Sequence, residues 1–333
     1  MKIKSRFKLS AVLSVLMLFT TGCNPSAPKK VETIVIGAAT VAHSSPVWIA
    51  ESKGYFTEEG LKEEIKEFDS GREALQTMLN EGGIDIATTA QMPVVSNSFK
   101  RSDFAIVGSM VYSDRDHKVL ARQDRGIKAP PHLKGRTIGI TANSSGHYFL
   151  GQFLVHYGLN LSDVRAVDLE AARLPQALIE GQVDAIATWE PNVYKAKKAL
   201  GDKILVLPSE GVYRMDYYFV ARKNFIKNHF QALTRFLKAI EKSDEFIGKN
   251  KKEAMDIVEQ RVKMDREIIN ATWDDFRFRL FLDQSILTAL EDEARWAIRN
   301  RLTDASNVPN YLDYLYTDAL KAVRPAAVRI AGR

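Results

Sequence analysis

Residues 82–93 read GGIDIATTAQMP, and residues 181–191 read GQVDAIATWEP. Each stretch has a glycine turn, an aspartate between hydrophobic residues, a short apolar run that ends in threonine, and a proline just beyond. The apolar runs have the length of buried strands, and glycine and proline bound them as turn residues do. One such stretch in each half of the chain predicts equivalent strands in two related half-folds, although any strand after a glycine turn in an α/β protein can look similar.

Strands and helices alternate on both sides of these two stretches. This alternation indicates an α/β protein built from βαβ units with a mostly parallel sheet. From Asn224 onward the pattern is nearly all helical, and the aromatic and leucine residues of 273–298 fit helices that pack onto the first lobe. The predicted strands are 33–38, 65–68, 84–88, 104–110, 137–141, 164–169, 183–188, 204–207 and 217–221, and the predicted helices are 46–53, 72–79, 93–99, 144–157, 174–180 and 191–200.

The first 22 residues have the order of a secretory signal, with a basic segment (1–8), an apolar segment (9–20) and small residues before Cys23. The apolar segment is shorter than the roughly 20 residues that a membrane-spanning helix needs. A cysteine directly after Gly22 resembles the bacterial lipobox, which implies cleavage before Cys23 and a lipid on its sulfur. We therefore expect residues 1–22 to be a lipoprotein signal peptide and residues 23–32 a tether. A plain signal peptide, or an uncleaved anchor with an incidental cysteine, is the alternative.

Charge and motifs exclude several classes of function. The formal net charge is +6, but four of the 47 basic residues lie in the first 22, where there are no acidic residues, so the mature chain is nearly neutral. No basic stripe is present to bind a nucleic-acid backbone. A single cysteine excludes a disulfide framework and a cysteine-based zinc site. Because no nucleotide-binding glycine loop, zinc-protease motif or serine-nucleophile motif occurs, we expect no cofactor, no metal and no nucleic-acid partner. Asp114, Asp116 and His117 are predicted to lie in a solvated loop.

Four longer stretches carry a resemblance to a known family. They read AHSSPVWIAESKGYFTEEGL (42–61), SGREALQTMLNEGGIDIATTAQMP (70–93), HLKGRTIGITANSSGHYFLGQFLVHYGL (132–159) and LPQALIEGQVDAIATWEPNV (174–193). In this order and spacing they resemble the ABC-transporter periplasmic substrate-binding proteins for aliphatic sulfonates, taurine and nitrate, which are related to thiamine-precursor binding proteins. The resemblance covers essentially the whole mature chain.

The resemblance implies a type II periplasmic-binding-protein fold, in which two crossover strands join two α/β lobes. Lobe I is expected to comprise residues 33–119 and 216–333, with a helical C-terminal extension, and lobe II residues 120–215. The crossover strands are expected near residues 118–122 and 213–222. Closure of the two lobes around a ligand would be a hinge motion.

The resemblance also implies a function. The chain is expected to be an exported lipoprotein, periplasmic or on the cell surface and anchored to the membrane through Cys23. It would capture a small anionic or zwitterionic solute that is sulfonate- or taurine-like, nitrate-like or pyrimidine-precursor-like. Its partners would be an ABC permease and ATPase, and it would act as a monomer without enzymatic activity. The alternatives are an enzyme of the thiamine-precursor synthase type on the same fold, or a sensory binding protein that serves a membrane receptor.

Ligands of open α/β sheets bind beyond the carboxyl ends of the strands. The turn at residues 143–147 combines capping side chains, a glycine and free backbone N–H groups, which suits an anionic oxygen. Trp189 could stack on a flat or methylated part of the ligand, and Glu190 could receive an amine. An anion-binding turn that faces the Glu190 carboxylate would indicate a zwitterion. Arg72 is predicted to face solvent, with pairing to an acid group of the ligand as the alternative. Tyr217, a second-tier candidate like Tyr213, is predicted to pack at the hinge rather than to bind the ligand. The candidate ligand-binding residues are His43, Ser44, Ser45, Gly71, Ala90, Gln91, Asn143, Ser144, Ser145, Gly146, His147, Trp189, Glu190 and Tyr213.

Overall fold

The computed structural model describes Met1 and residues 31–331. Cys23 and the predicted signal peptide, as well as most of the predicted tether, lie outside the described residues. Among the residues described, no helix has both the length and the apolar character needed to cross a membrane.

The described chain alternates strands and helices up to β10 and is mainly helical beyond it. The strands are β1 (Glu32–Ala39), β2 (Leu61–Phe68), β3 (Ile86–Ala90), β4 (Phe104–Ser113), β5 (Lys118–Arg122), β6 (Thr137–Ile140), β7 (Arg165–Asp168), β8 (Ala185–Thr188), β9 (Ile204–Leu207), β10 (Met215–Arg222), β11 (Arg277–Asp283) and β12 (Val328–Arg329). The helices are α1 (Ser45–Ser52), α2 (Tyr55–Glu58), α3 (Gly71–Asn80), α4 (Gln91–Ser98), α5 (Ser145–His156), α6 (Leu174–Ile179), α7 (Asn192–Leu200), α8 (Lys223–Asn228), α9 (Phe230–Lys249), α10 (Lys251–Val262), α11 (Arg266–Thr272), α12 (Gln284–Arg299) and α13 (Asp318–Val323).

The strands form two sheets. The larger sheet has seven strands in the order β12-β11-β4-β10-β3-β1-β2, and the smaller has five in the order β7-β6-β8-β5-β9. We call residues 118–207, which contain the smaller sheet, the smaller-sheet half, and the other described residues the larger-sheet half. The interior strand β3 is buried at every position, as is β8, because helices cover both faces of each sheet.

The two sheets share one arrangement of strands, which confirms the prediction that the two quoted stretches form equivalent strands. In the larger sheet β1 lies between parallel neighbours β2 and β3, and β10 runs antiparallel to β3. In the smaller sheet β6 lies between parallel neighbours β7 and β8, and β5 runs antiparallel to β8. The aspartate of each stretch makes an equivalent hydrogen bond to the neighbouring strand. Asp85 accepts from Val35 N of β1 at 2.8 Å, and Asp184 accepts from Thr137 N of β6 at 2.9 Å.

Two predictions about the sheets are corrected. The sheets are not mostly parallel, because β10 and β5 each insert antiparallel between two neighbours and β11 pairs antiparallel with β4. The region after Asn224 is not all helical either, since Arg277–Asp283 forms β11. Its sequence RFRLFLD alternates large apolar side chains with others, which is the period of a strand. The predicted lobe boundaries at residues 119/120 and 215/216 stay a prediction.

Candidate functional site

A small cavity lies where loops from the carboxyl ends of both sheets meet. From the larger-sheet half it is lined by residues that follow β1, β2 and β3, and from the smaller-sheet half by residues that follow β6 and β8. The volume that the centre of a water molecule can occupy in this cavity is about 20 Å³. This is room for one or two small polar groups. Of the candidate residues, the lining includes His43, Gly71, Ala90, Ser144, Ser145 and Trp189.

The loop after β1 places His43 at the cavity and turns its neighbours away. Residues Ala42–Ser44 form a short 3-10 turn that leads directly into α1. The hydroxyl of Ser45 donates to Ala42 O at 2.5 Å, and the hydroxyl of Ser44 lies 3.5 Å from that of Thr88. Both serine hydroxyls therefore hold the turn in place, and the residues of this loop that line the cavity are His43 and Val41.

The start of α3 forms a second wall. Ser70 caps the helix by accepting a bond from Glu73 N at 3.3 Å. A Cβ atom on Gly71 would lie 2.5 Å from the Tyr217 hydroxyl oxygen and 2.7 Å from Thr89 Cα, so only glycine fits here. Arg72 also lines the cavity, and its guanidinium donates to both carboxylate oxygens of Glu170 in the smaller-sheet half, at 3.1 and 3.2 Å.

The third wall is the first turn of α5. Asn143 adopts a left-handed conformation (φ 56°) before the helix, and Ser144 Oγ donates to Thr141 O at 2.6 Å. Ser145 Oγ lies 2.9 Å from His117 Nε2. The N–H groups of Ser145 and Gly146 have no partner within the helix and carry its positive dipole end, whereas the His147 N–H donates to Ser144 O at 3.1 Å. This wall can accept an anionic oxygen.

His147 and Gly146 support this turn from behind. His147 Nδ1 accepts from Asn143 N at 3.4 Å, and its ring packs edge-on against Trp296. Burial lowers the pKa of His147 to about 4, so this imidazole is neutral at physiological pH. A Cβ on Gly146 would lie 3.1 Å from Ala187 O and 3.2 Å from the Trp189 ring, so the helix start packs closely on the end of β8.

Behind the cavity wall, Asp116 lies between two histidines. Its two carboxylate oxygens lie 2.9 Å from His43 Nε2 and 3.0 Å from His117 Nδ1, and the side chain is 1% exposed. These contacts have the distance of hydrogen bonds without their alignment, so they are close polar contacts. Burial raises the Asp116 pKa, but the two imidazoles outweigh burial and hold that pKa well below its usual range. The prediction of a solvated loop is wrong for Asp116 and His117, which are buried between β4 and β5, whereas Asp114 is exposed as predicted.

Glu190, Gln91 and Tyr213 lie outside the cavity lining, as do the candidates Ser44, Ser45, Asn143, Gly146 and His147. Glu190 accepts from Tyr194 N at 3.0 Å at the start of α7, and burial raises its pKa to about 7. Gln91 is buried, and its side-chain oxygen accepts from Tyr213 OH and from Asp216 N, both at 2.9 Å. Gln91 and Tyr213 thus join α4 to the segment that enters β10. Their binding roles stay a prediction.

The structure brings residues to the cavity that the sequence pattern did not indicate. The prediction that Arg72 faces solvent is wrong, since its side chain is 16% exposed. Tyr217, predicted to pack at the hinge, lines the cavity as well. His117 directly precedes the predicted crossover strand, and this position in the sequence was the one indication that His117 could lie near the cavity. The other added lining residues are Val41, Ser70, Pro93 and Met215.

Comparisons with known proteins agree on one family. The family model described as NMT1/THI5 like matches residues 41–254. A Bacillus subtilis (strain 168) protein named as an aliphatic sulfonates-binding protein is 26% identical over 302 residues, which is 88% of this chain and 90% of the relative.

Solved structures show the same fold. The alkanesulfonate-binding protein SsuA from Xanthomonas axonopodis pv. citri, bound to MOPS, superposes with a TM-score of 0.75 at 20% identity, over 91% of this chain and 100% of that one. The periplasmic aliphatic sulphonate binding protein SsuA from Escherichia coli superposes with a TM-score of 0.72 at 20% identity, over 86% of this chain and 92% of that one. The architecture is therefore that of periplasmic binding proteins.

Proposed function

Because this chain belongs to the NMT1/THI5-like family, we propose that it is an exported solute-binding protein that captures a small anionic or zwitterionic solute and delivers it to an ABC importer. The observation that carries the proposal is the cavity, which both sheets wall with the loops at the carboxyl ends of their strands. Ligands of open α/β sheets bind at this place. The names of the relatives, which refer to aliphatic sulfonates and taurine, support the same role.

The cavity wall supports an acidic ligand group. The first turn of α5 offers free N–H groups, Arg72 offers a guanidinium, and His43 and His117 offer imidazoles. Trp189 and Tyr217 add apolar ring surface beside these donors. A sulfonate, nitrate or carboxylate group with a short organic portion matches this mixture of donors and rings.

Two lobes that close on the ligand complete the proposal. Lobe I comprises residues 33–119 and 216–333, and lobe II residues 120–215. The proposed boundaries lie within β5 and β10, just after the two segments that connect the halves, which are residues 114–117 between β4 and β5 and residues 208–214 between β9 and β10. Both segments lie outside the strands, so rotation about them would open the cavity without breaking either sheet.

The leader supports lipid anchoring. Cleavage before Cys23 and lipidation of its sulfur would attach the mature chain to a membrane, with residues 24–32 as the tether. Replacing Cys23 by serine should move the chain from the membrane fraction to the soluble extracytoplasmic fraction and abolish incorporation of labelled palmitate. Retention of Cys23→Ser in the membrane with unchanged labelling would contradict lipidation at this cysteine.

The solute-binding role is tested by thermal unfolding of the non-lipidated chain (residues 24–333) with a panel of ethanesulfonate, taurine, nitrate, amino acids, polyamines and pyrimidines. A ligand at about 100 times its dissociation constant should stabilise the native state by roughly 2.7 kcal/mol. The Ser145→Ala variant should lose most of that stabilisation, whereas His132→Gln, at an exposed position, should keep it. Absence of a shift with every class of compound would contradict the proposal.

A further inference from the structure

The cavity presents two imidazoles and hides a carboxylate behind them. His43 and His117 line the cavity, and each is less than one-tenth exposed. Asp116 lies behind both, with one oxygen 2.9 Å from His43 Nε2 and the other 3.0 Å from His117 Nδ1. Among the described residues, His43 Nδ1 has no hydrogen-bond partner although it is buried. A buried polar atom without a partner at a cavity wall is available to a ligand.

From this arrangement we propose that the cluster of His43, Asp116 and His117 selects a singly charged anion that enters the cavity together with a proton, an inference that rests on the proposed solute-binding function. With both imidazoles neutral the cluster carries the charge of Asp116, which repels an anion in a site with little water. With one imidazole protonated the cluster is neutral. An anion beside an imidazole favours its protonated form, so binding and proton uptake reinforce each other.

Three groups beside the cluster are paired or keep their charge near neutral pH. Arg72 is already bonded to Glu170. Burial raises the pKa of Tyr217, whose ring lies 5.1 Å from that of His43, so this phenol stays neutral. Tyr213, whose ring lies 5.4 Å from that of His117, also stays neutral because burial raises its pKa. In addition to burial, the charge of Asp116 raises the pKa values of Glu190 and Asp275, which are therefore near the cluster. The other titratable groups nearby are Asp114, Arg115 and Lys118, which adjoin the cluster in sequence, and His147, whose pKa burial lowers to about 4.

Those remaining groups include both signs of charge. Arg115 Nη1 lies 3.8 Å from a carboxylate oxygen of Asp275, and the positive charge of Lys118 opposes the rise that burial causes in the pKa of Asp275. Glu190 is the group among them that can titrate near neutral pH, because burial raises its pKa to about 7. Its ionisation would add negative charge at higher pH and would weaken anion binding in the same direction as the loss of an imidazolium. The Glu190→Gln variant therefore separates its contribution from that of the two histidines.

The test is isothermal titration calorimetry of the non-lipidated chain with ethanesulfonate and with nitrate, whose charges are constant over the range used. Titrations at about pH 5.5 and about pH 8 span the range in which histidine ordinarily changes charge. Repeating each in two buffers of different ionisation enthalpy counts the protons taken up. We expect an affinity that falls with rising pH, by up to about tenfold per unit, and an uptake approaching one proton per ligand.

Variants assign the proton to the cluster. Asp116→Asn removes the negative charge at nearly constant shape and should bring proton uptake close to zero and raise the affinity at the higher pH. His43→Gln and His117→Gln should each reduce uptake, while Glu190→Gln should leave most of it in place. The matched control, His132→Gln at an exposed position, should change neither affinity nor uptake. Where a cluster variant does not fold, the proton count of the unmodified chain decides.

The outcomes separate this inference from the proposed function. Proton uptake with an anion, lost in Asp116→Asn, supports the inference. Anion binding without uptake, or affinity that rises with pH, overturns it and leaves solute binding intact. Binding restricted to amines or neutral compounds of the panel also overturns the inference and leaves solute binding intact. Failure of every compound to bind at either pH overturns both.

Discussion

The guanidinium of Arg72 in the larger-sheet half donates to both carboxylate oxygens of Glu170 in the smaller-sheet half, at 3.1 and 3.2 Å. Arg72 lines the cavity, whereas Glu170 is 72% exposed, so this ion pair lies at the outer edge of the cavity where the two halves face each other. It ties together two residues that belong to different sheets.

This ion pair should couple the two halves weakly. In a double-mutant cycle of Arg72→Met and Glu170→Gln, we expect an interaction free energy of about 0.2–1 kcal/mol, because one partner is exposed to solvent. Urea unfolding measures it. The control cycle pairs Arg72→Met with Glu180→Gln, whose carboxylate is exposed and bonds Gln176 and Gln182, and should show no coupling. Equal coupling in the two cycles would show that the contact does not form in solution.

Gly71→Ala should destabilise the protein and narrow the cavity. The added methyl group would lie 2.5 Å from the Tyr217 hydroxyl oxygen and 2.7 Å from backbone, which cannot move aside freely. We expect a loss of about 1–3 kcal/mol in the free energy of unfolding, measured in urea. The matched control is Gly248→Ala in α9, where the new methyl group meets nothing within 4 Å and should stabilise the helix by about 0.5–1 kcal/mol. A neutral Gly71→Ala variant would mean that Tyr217 does not occupy this position.

Glu190 should make stability depend on pH. Its folded-state pKa of about 7 lies above the ordinary value, so the folded state holds this proton more tightly than the unfolded state. The stabilising effect is therefore complete below the ordinary pKa and is lost as pH rises through about 7. Between about pH 5 and pH 8 the unmodified chain should lose up to about 3 kcal/mol that Glu190→Gln does not lose.

The comparison that checks this is urea unfolding of both proteins at the two pH values, because contributions from other groups cancel in the difference. Glu180→Gln, at an exposed position, serves as the control and should follow the unmodified chain. Parallel stability curves for Glu190→Gln and the unmodified chain would show that Glu190 titrates alike in the folded and unfolded states.

Gly151 allows Trp296 of α12 to lie flat against α5. A Cβ at Gly151 would be 2.6 Å from Trp296 Nε1, and the same indole packs edge-on against His147 and Tyr148. Gly151→Ala should displace the indole, shift the tryptophan emission and destabilise the fold by about 1–3 kcal/mol. Because a phenyl ring is smaller, Trp296→Phe should recover part of this loss when combined with Gly151→Ala. Additive losses in the double variant would contradict direct contact.

Local patterns predicted the elements that position the site. The two quoted stretches do form β3 and β8, in equivalent places, because a glycine turn followed by an apolar run defines a buried strand without help from distant residues. The turn before α5 was predictable for the same reason, since serine and glycine residues at a helix start act within one turn. β11 was missed because a short alternation of apolar residues beside long helical patterns is a weak indication of a strand. Pairing with β4, which lies far away in the sequence, makes this segment a strand.

The amino-acid sequence by itself determined the alternation of strands and helices, the repeated half-fold and the loops that line the cavity, because each depends on side chains within a few positions. Only the tertiary structure decided which side chains meet. Arg72 and Glu170 are 98 positions apart, and Asp116 reaches His43 across a sheet, so their contacts follow from strand order and from the approach of the two halves. Burial then raises the pKa of Glu190, and the imidazoles of His43 and His117 hold the pKa of Asp116 down; both effects are properties of the folded chain, which no local pattern contains.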